Sequence, residues 1–428
     1  MYSILILLQL SVAITDDTVL LQLTPAQQQV HAESRAAEAV ATSRLETALS
    51  SLSLARRTGD SRYASRAQAL LQSQAADTAV QLLRADIAQY LHQFDVAADT
   101  LATVLQREPN NADAHLLAAN LAFTQGDGAT ARRHCLALVG QRSHLLSHAC
   151  VAYATSLRGQ LSDSRRVLEQ TLEHARSLND SDANDTDVSE TSWALQLLAD
   201  MAERSFDDLA AERHYRAALL ANPEAISALA ALADLLLRQQ RFAEVASLLA
   251  PFPDIDVLLL RWLHAMRLHG ERQTETENAL NERFSQLRQR GDRGHEREQA
   301  LQSWWLLNEP QRALTYARQN FRKQRETLDI RLVAALAAAT ADQPAHTELQ
   351  QWLDDSGYED QVLESIAISG SVRLSKTAQT SVARTPVAWP SYCCWSGLAG
   401  DCLAVAAKPA AATCSTYLPP HLPPGQRQ

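Results

Sequence analysis

The stretch LQREPNNADAHLLAANLAFTQGDGATA, from Leu105 to Ala131, decides the fold. Pro109 and the two asparagines after it stop one helix, because proline cannot join a helical ladder and Asn favours turns. An alanine- and leucine-rich run predicts a second helix, and Gly126-Asp127 turns the chain into a third. The stretch holds no nucleophile, phosphate loop or complete metal motif. It reads as helices made to stack on one another.

Outward from this stretch the same pattern recurs every 34 residues: from 97 to 131, from 86 to 120 and from 199 to 233. Ala85, Ala119, Ala152, Ala199 and Ala233 share one small-residue position. Ala97, Ala131, Ser164 and Ala211 share another, from which Val245 departs. A fixed period of this length marks a repeat array. Small residues belong where two helices approach closely. The strongest register covers 78–250, broken by an acidic insertion at 179–191. Weaker register extends over N-terminal helical pairs at 26–77 and C-terminal helical repeats at 251–367.

On these residues the chain resembles the tetratricopeptide repeat (TPR) family. In RHYRAALLANPEA and just before it, Ala211, Tyr215, Ala218, Leu219 and Pro223 fall where the family pattern expects them. FDVAADTLATVLQREPN matches through Phe94, Ala97 and Pro109. The usual first-helix tryptophan is missing, and His115 stands in that place in one repeat. The phrases GDSRYASRAQALL, GDRGHEREQALQ and NEPQRALTYARQNF resemble a group of exported bacterial TPR proteins without assigned activity. The resemblance implies an all-α fold: a right-handed α-solenoid of stacked antiparallel helix pairs, each burying its neighbour's apolar face.

The family also implies a concave groove lined by the first helix of each pair. Its inward positions map to Asp86, Asn120, Tyr153, Asp200 and Asp234, and to Tyr90, Thr124, Leu157, Arg204 and Arg238. Phe123 and Trp193 add apolar area. The expected partner-binding groove is therefore Asp86, Tyr90, Asn120, Phe123, Tyr153, Trp193, Asp200, Arg204, Asp234 and Arg238. A TPR clamp for a terminal carboxylate needs Lys, Arg and Asn converging here. Asp86 sits where the clamp wants Asn, and the first repeats lack the basic residues. Three carboxylates on one face suit instead a partner carrying amide, Lys or Arg groups.

Composition narrows the classes. Gly is scarce at 13 residues and aromatics are 5%, which favours helices over sheets. A formal net charge of −10 argues against a general nucleic-acid binder, which needs a basic surface. The apolar run from Ile4 to Ile14, followed by Asp16, suits an export signal in residues 1–14, although no Lys or Arg precedes it. It falls short of the roughly 18 apolar residues that span a membrane. A periplasmic or otherwise exported location is expected, with a cytoplasmic one as the alternative.

Cys135 and Cys150 fall in the second helix of one repeat and the first helix of the next. Export would let them form a disulfide; a cytosolic site would leave two buried thiols. His144 and His148, with His134 nearby, have partial zinc spacing, but no HExxH occurs and no metal is expected. NDSDANDTDVSET begins like a calcium loop, yet Asp185 and Thr191 replace the Gly and Glu that the loop needs. It reads as a solvated loop. RFSQLRQRGDRGHERE reads as intrahelical Arg–Glu pairs. From 368 to 428 Pro, Ser and Cys replace helical periodicity, which reads as a disordered tail or an out-of-frame gene end. The expected function is a non-catalytic scaffold, without cofactor, that binds a protein or peptide partner through its groove. The alternative is an assembly subunit of an envelope or membrane-associated complex, using its ends or convex face.

Overall fold

A computed structural model describes residues 43–73, 76–179, 188–289 and 295–369, and every regular element among them is helical. The export run, most of the acidic insertion and the tail lie outside these residues. Helix α1 covers 43–58. It is followed by α2 (Ser61–Leu71), α3 (Thr78–Tyr90), α4 (Phe94–Arg107), α5 (Ala112–Thr124), α6 (Gly128–Ala137), α7 (His144–Ser156), α8 (Leu161–Asn179), α9 (Val188–Arg204) and α10 (Asp208–Ala221). Then come α11 (Ile226–Arg238), α12 (Phe242–Leu249), α13 (Asp256–Leu268), α14 (Thr274–Gln289), α15 (Glu296–Trp305), α16 (Pro310–Phe321), α17 (Thr327–Thr340), α18 (Gln343–Ser356) and α19 (Gln361–Ser369). Successive helices pack pairwise, so the array is an all-α solenoid. The expected insertion is shorter than its sequence suggests: Asn179 ends α8, and Val188 to Thr191 already belong to α9.

The turn inside each pair is built the same way. His92, Gly126, Gly159, Phe206 and Gln240 all have positive φ, and 92 to 126 and 206 to 240 repeat the period of the sequence. The residue after each turn closes it: the amides of Gln93, Asp127, Asp207 and Arg241 donate to the carbonyls of Ala88, Ala122, Ala202 and Leu236. This satisfies the orphan carbonyls at a helix end. His92, Phe206 and Gln240 hold this conformation at a steric cost of about 1–2 kcal/mol each. Sharp starts complete the unit. The side chains of Asn111, Asp127 and Asp207 accept from the amides of Ala114, Thr130 and Ala210.

The small-residue positions carry the packing. Ala97, Ala119, Ala131, Ala199, Ala211 and Ala233 are wholly buried, and so is Val245, the larger residue at the same place. Leucines fill the space between pairs, as with Leu229, Leu232, Leu235 and Leu236 of α11.

Cys135 of α6 and Cys150 of α7 form a disulfide between wholly buried side chains, with Cα atoms 5.3 Å apart. It staples two consecutive repeats behind Ala119 and Ala122. The bond spans 15 residues. Cys135→Ala with Cys150→Ala is expected to lower the unfolding free energy by about 3 kcal/mol, the chain-entropy value for such a loop. A urea midpoint shift at unchanged slope would report it.

The array does not stay open. Segments of its last pairs return to the C-terminal ends of α5, α7 and α9. The amide of Arg325 donates to Thr124 O at 2.8 Å, and its guanidinium reaches Gln125 O at 3.2 Å, 200 residues away in sequence. Gly126 lies so close that a Cβ there would fall 2.9 Å from Arg325 Cβ and 3.0 Å from the Trp352 ring. Only glycine serves that turn. The Leu161 amide, the first of α8, donates to the Glu359 carboxylate at 2.9 Å.

Candidate functional site

The curled array wraps around a cavity of about 2440 Å³ that is partly open to solvent. Its wall comes from α1, α3, α5, α7, α9, α11 and α13, with further residues of α2, α14 and α15 and of the segment 322–331. Asp86, Tyr90, Asn120, Phe123, Tyr153, Trp193, Asp200 and Asp234 line it. The helical period explains the set: on α5, Asp113, Leu116, Leu117, Asn120, Phe123 and Thr124 recur three or four residues apart and form one stripe.

Arg204 and Arg238 are not in this wall, which corrects the expected groove. Arg204 is wholly buried. It donates to Ser156 O at 2.7 Å, Ser156 Oγ at 3.1 Å and Glu359 O at 3.0 Å, with its guanidinium 4.3 Å above the Tyr358 ring. Arg238, also buried, donates to both Asp208 oxygens at 2.9 and 2.8 Å and pairs with Glu203 at 3.3 Å. The physical reason is common to both. A long side chain at the last turn of a first helix reaches the neighbouring repeat, where buried acceptors offer more than water-filled space.

The carboxylates are also taken. Asp86 pairs with Arg56 of α1. Asp234 accepts from Arg261 of α13 at 2.9 and 2.7 Å. Asp200 accepts from Thr327 and lies 3.5 Å from Arg204. Burial pushes the carboxyls of Asp200 and Asp234 above their ordinary value, against the pull of Arg204 and Arg261. Glu203 goes the other way. Burial raises it, but Arg331 and Arg238 together hold it below the ordinary range. The three-carboxylate face therefore presents no free negative charge of the kind that a basic partner would match.

An aromatic and amide wall remains. Phe123 meets Tyr153 edge to face, with centroids 5.0 Å apart, and Trp193 packs against the same two helix clusters. Tyr90 donates to Ala55 O at 2.8 Å. Asn120 is 6% exposed, and its Oδ1 has no hydrogen-bond partner.

Outside the cavity, the histidine readings also shift. His144 and His148 both lie within α7 and stack with centroids 3.8 Å apart. His115 sits 2.9 Å from His134, nitrogen to nitrogen, and contacts Pro109 O. Among the described residues no group of three or more His, Cys, Asp or Glu converges as a metal site would need. Nor is any helix there long and apolar enough to cross a membrane. Arg283 and Arg297, read as intrahelical partners, instead reach across helices to Asp256 and Asp329.

Sequence reasoning missed Arg56, Arg261, Thr327 and Arg331, which neutralise or bond the inward acids. The only signal was a faint one: two of these pairs are separated by about one repeat, Arg56–Asp86 at 30 and Arg261–Asp234 at 27 residues. No protein-family model matches the chain, and comparison with curated proteins finds no match.

Proposed function

We propose that the chain is a non-catalytic TPR-type scaffold that binds a protein or peptide segment inside its central cavity. The cavity itself carries the reading. At about 2440 Å³ it exceeds the roughly 300–1,000 Å³ typical of small-molecule sites, and its wall joins aromatic and amide side chains to the inward acids Asp86, Asp200 and Asp234, which are already bonded. An uncharged, extended stretch of polypeptide suits that wall better than a strongly basic one. The buried disulfide supports an exported location, because such bonds persist in oxidising compartments.

The alternative, an assembly subunit, draws support from α10. Leu209 and Leu220 are 77% and 86% exposed there, at helical spacing on one side. Two variants separate the readings. Ser227→Trp fills an exposed position in the cavity wall; Leu209→Ser with Leu220→Ser removes the outer leucines. In quantitative capture from the native host, the cavity variant is expected to lose at least about tenfold in partner recovery, equal to 1.4 kcal/mol, while the α10 variant keeps it. The reverse pattern favours the assembly reading, and no loss in either overturns both.

A further inference from the structure

On the strip of cavity wall formed by α5, α7 and α9, two donors are left unbonded. Trp193 and Tyr153 are half-buried and line the cavity. Neither the indole N–H of Trp193 nor the hydroxyl of Tyr153 has a hydrogen-bond partner among the described residues, and neither atom is sealed from solvent. The carboxylates of the strip are in the opposite state. Asp113 is bonded by Arg142, Glu190 by Ser143 and Asp200 by Thr327. The strip therefore offers donors and keeps its carboxylates occupied. Leu116, Leu117, Leu146 and Leu197 line the same strip and make its floor apolar.

Register with the small-residue positions sets the spacing of the two donors. Trp193 comes six residues before Ala199, and Tyr153 comes one after Ala152. Their helices, α9 and α7, are packed neighbours. Seven residues of helix rise about 10 Å and adjacent axes lie about 8–10 Å apart, so the two positions stand about 14 Å apart. A polyproline II chain rises about 3.1 Å per residue, and about five residues bridge that distance. The strip is also held in shape beforehand. The Cys135–Cys150 disulfide lies in the cluster against which Leu116, Phe123 and Trp193 pack. A ligand therefore meets a floor that is already ordered, which spares part of the cost of binding.

We propose, on the reading that the cavity is the ligand site, that its occupant is a proline-rich segment in the polyproline II conformation, lying across α7 and α9 from Tyr153 to Trp193. The free donors set this chemistry. A proline residue brings a carbonyl and no N–H. It gives Trp193 and Tyr153 an acceptor and strands no donor of its own against carboxylates that are already bonded. Its ring is uncharged and docks on aromatic faces. Its conformation is set before binding, so little ordering entropy is lost. A segment of other residues would bring an N–H at every position, and each would need an acceptor.

Panning a random linear dodecapeptide library against the full, oxidised chain tests this. Peptides retained by the wild type and lost by Ser227→Trp are the cavity binders. They are expected to carry proline at about three times its frequency in the library or more. Tyr153→Phe removes a hydroxyl that has no partner in the protein and leaves the fold intact. It is expected to weaken the tightest such peptide about fivefold, the worth of one hydrogen bond. Trp193→Phe, which also trims the ring, should weaken it about tenfold. Circular dichroism melts check that both variants fold. Cavity binders without a proline excess, or a tight peptide indifferent to both variants, overturn the proline-rich occupant and leave the cavity as the binding site. Retention of every peptide by Ser227→Trp, or no retained peptide at all, removes the cavity reading and the proline-rich occupant with it.

Discussion

Arg204→Ala is expected to lower the unfolding free energy by about 3–5 kcal/mol, the loss typical of breaking a buried charged cluster. The side chain is wholly buried and serves two backbone carbonyls, one hydroxyl and one aromatic ring at once. Burial alone would favour its neutral form, yet Tyr358 and Asp200 keep it firmly charged. Alanine leaves Ser156 O and Glu359 O without that donor and opens a hole beneath Tyr358. Arg204→Lys keeps the charge but not the planar fork and should recover only part of the loss. Urea denaturation followed by circular dichroism reads both. A change below about 1 kcal/mol for alanine would mean that the junction relaxes around the missing side chain.

Acid should weaken the fold through His264. Its ring stacks on Trp305, 4.4 Å between centroids and nearly parallel, and is 5% exposed. Burial first, and Arg267 second, hold the imidazole down to about 3. The unfolded chain takes up that proton near pH 6.5. Between these values the unfolded state binds more protons than the native one, so stability falls as pH falls. The contribution is complete above pH 6.5 and is lost progressively down to about 3. From pH 7 to pH 4 it amounts to about 3 kcal/mol. His264→Leu removes the titrating group. The wild-type stability relative to this variant should therefore drop by about 3 kcal/mol over that interval. A difference independent of pH would show that His264 is already neutral in both states or charged in both.

Much of the fold could be read from the chain because its information is local. Ala97, Ala131 and Ala211 lie at helix contacts that recur each repeat, and their burial follows from period and size alone. Asn120, Phe123, Tyr153 and Trp193 face inward for the same reason. What the repeats do to one another at long range was not readable. Arg331 meets Glu203 across 128 residues, and Leu161 meets Glu359 across 198. Nothing in a repeat pattern says how tightly successive pairs will curl, and a few degrees per pair decide whether these groups meet at all. Arg204 and Arg238 were misplaced on this account. Their positions in the repeat suggest a groove, but curvature and a neighbouring pair turn them into buried ties. Arg56 was missed because it lies in α1, outside the stretch where the period is clear.

The contact of Arg325 with Thr124 carries a consequence for how such a chain can change over evolutionary time. An open stack of repeats can gain or lose a unit by duplication and keep its ends free. Here the end of α5 and the segment before α17 meet at fixed addresses. One unit more would carry Arg325 past the carbonyl it serves, and one unit fewer would leave it short; either would leave Gly126 guarding an empty corner. The number of units between α5 and α17 is thus set by closure, as the circumference of a ring is set by the joint that shuts it. Changes should collect on the outer helices and in the connections that the joint does not touch.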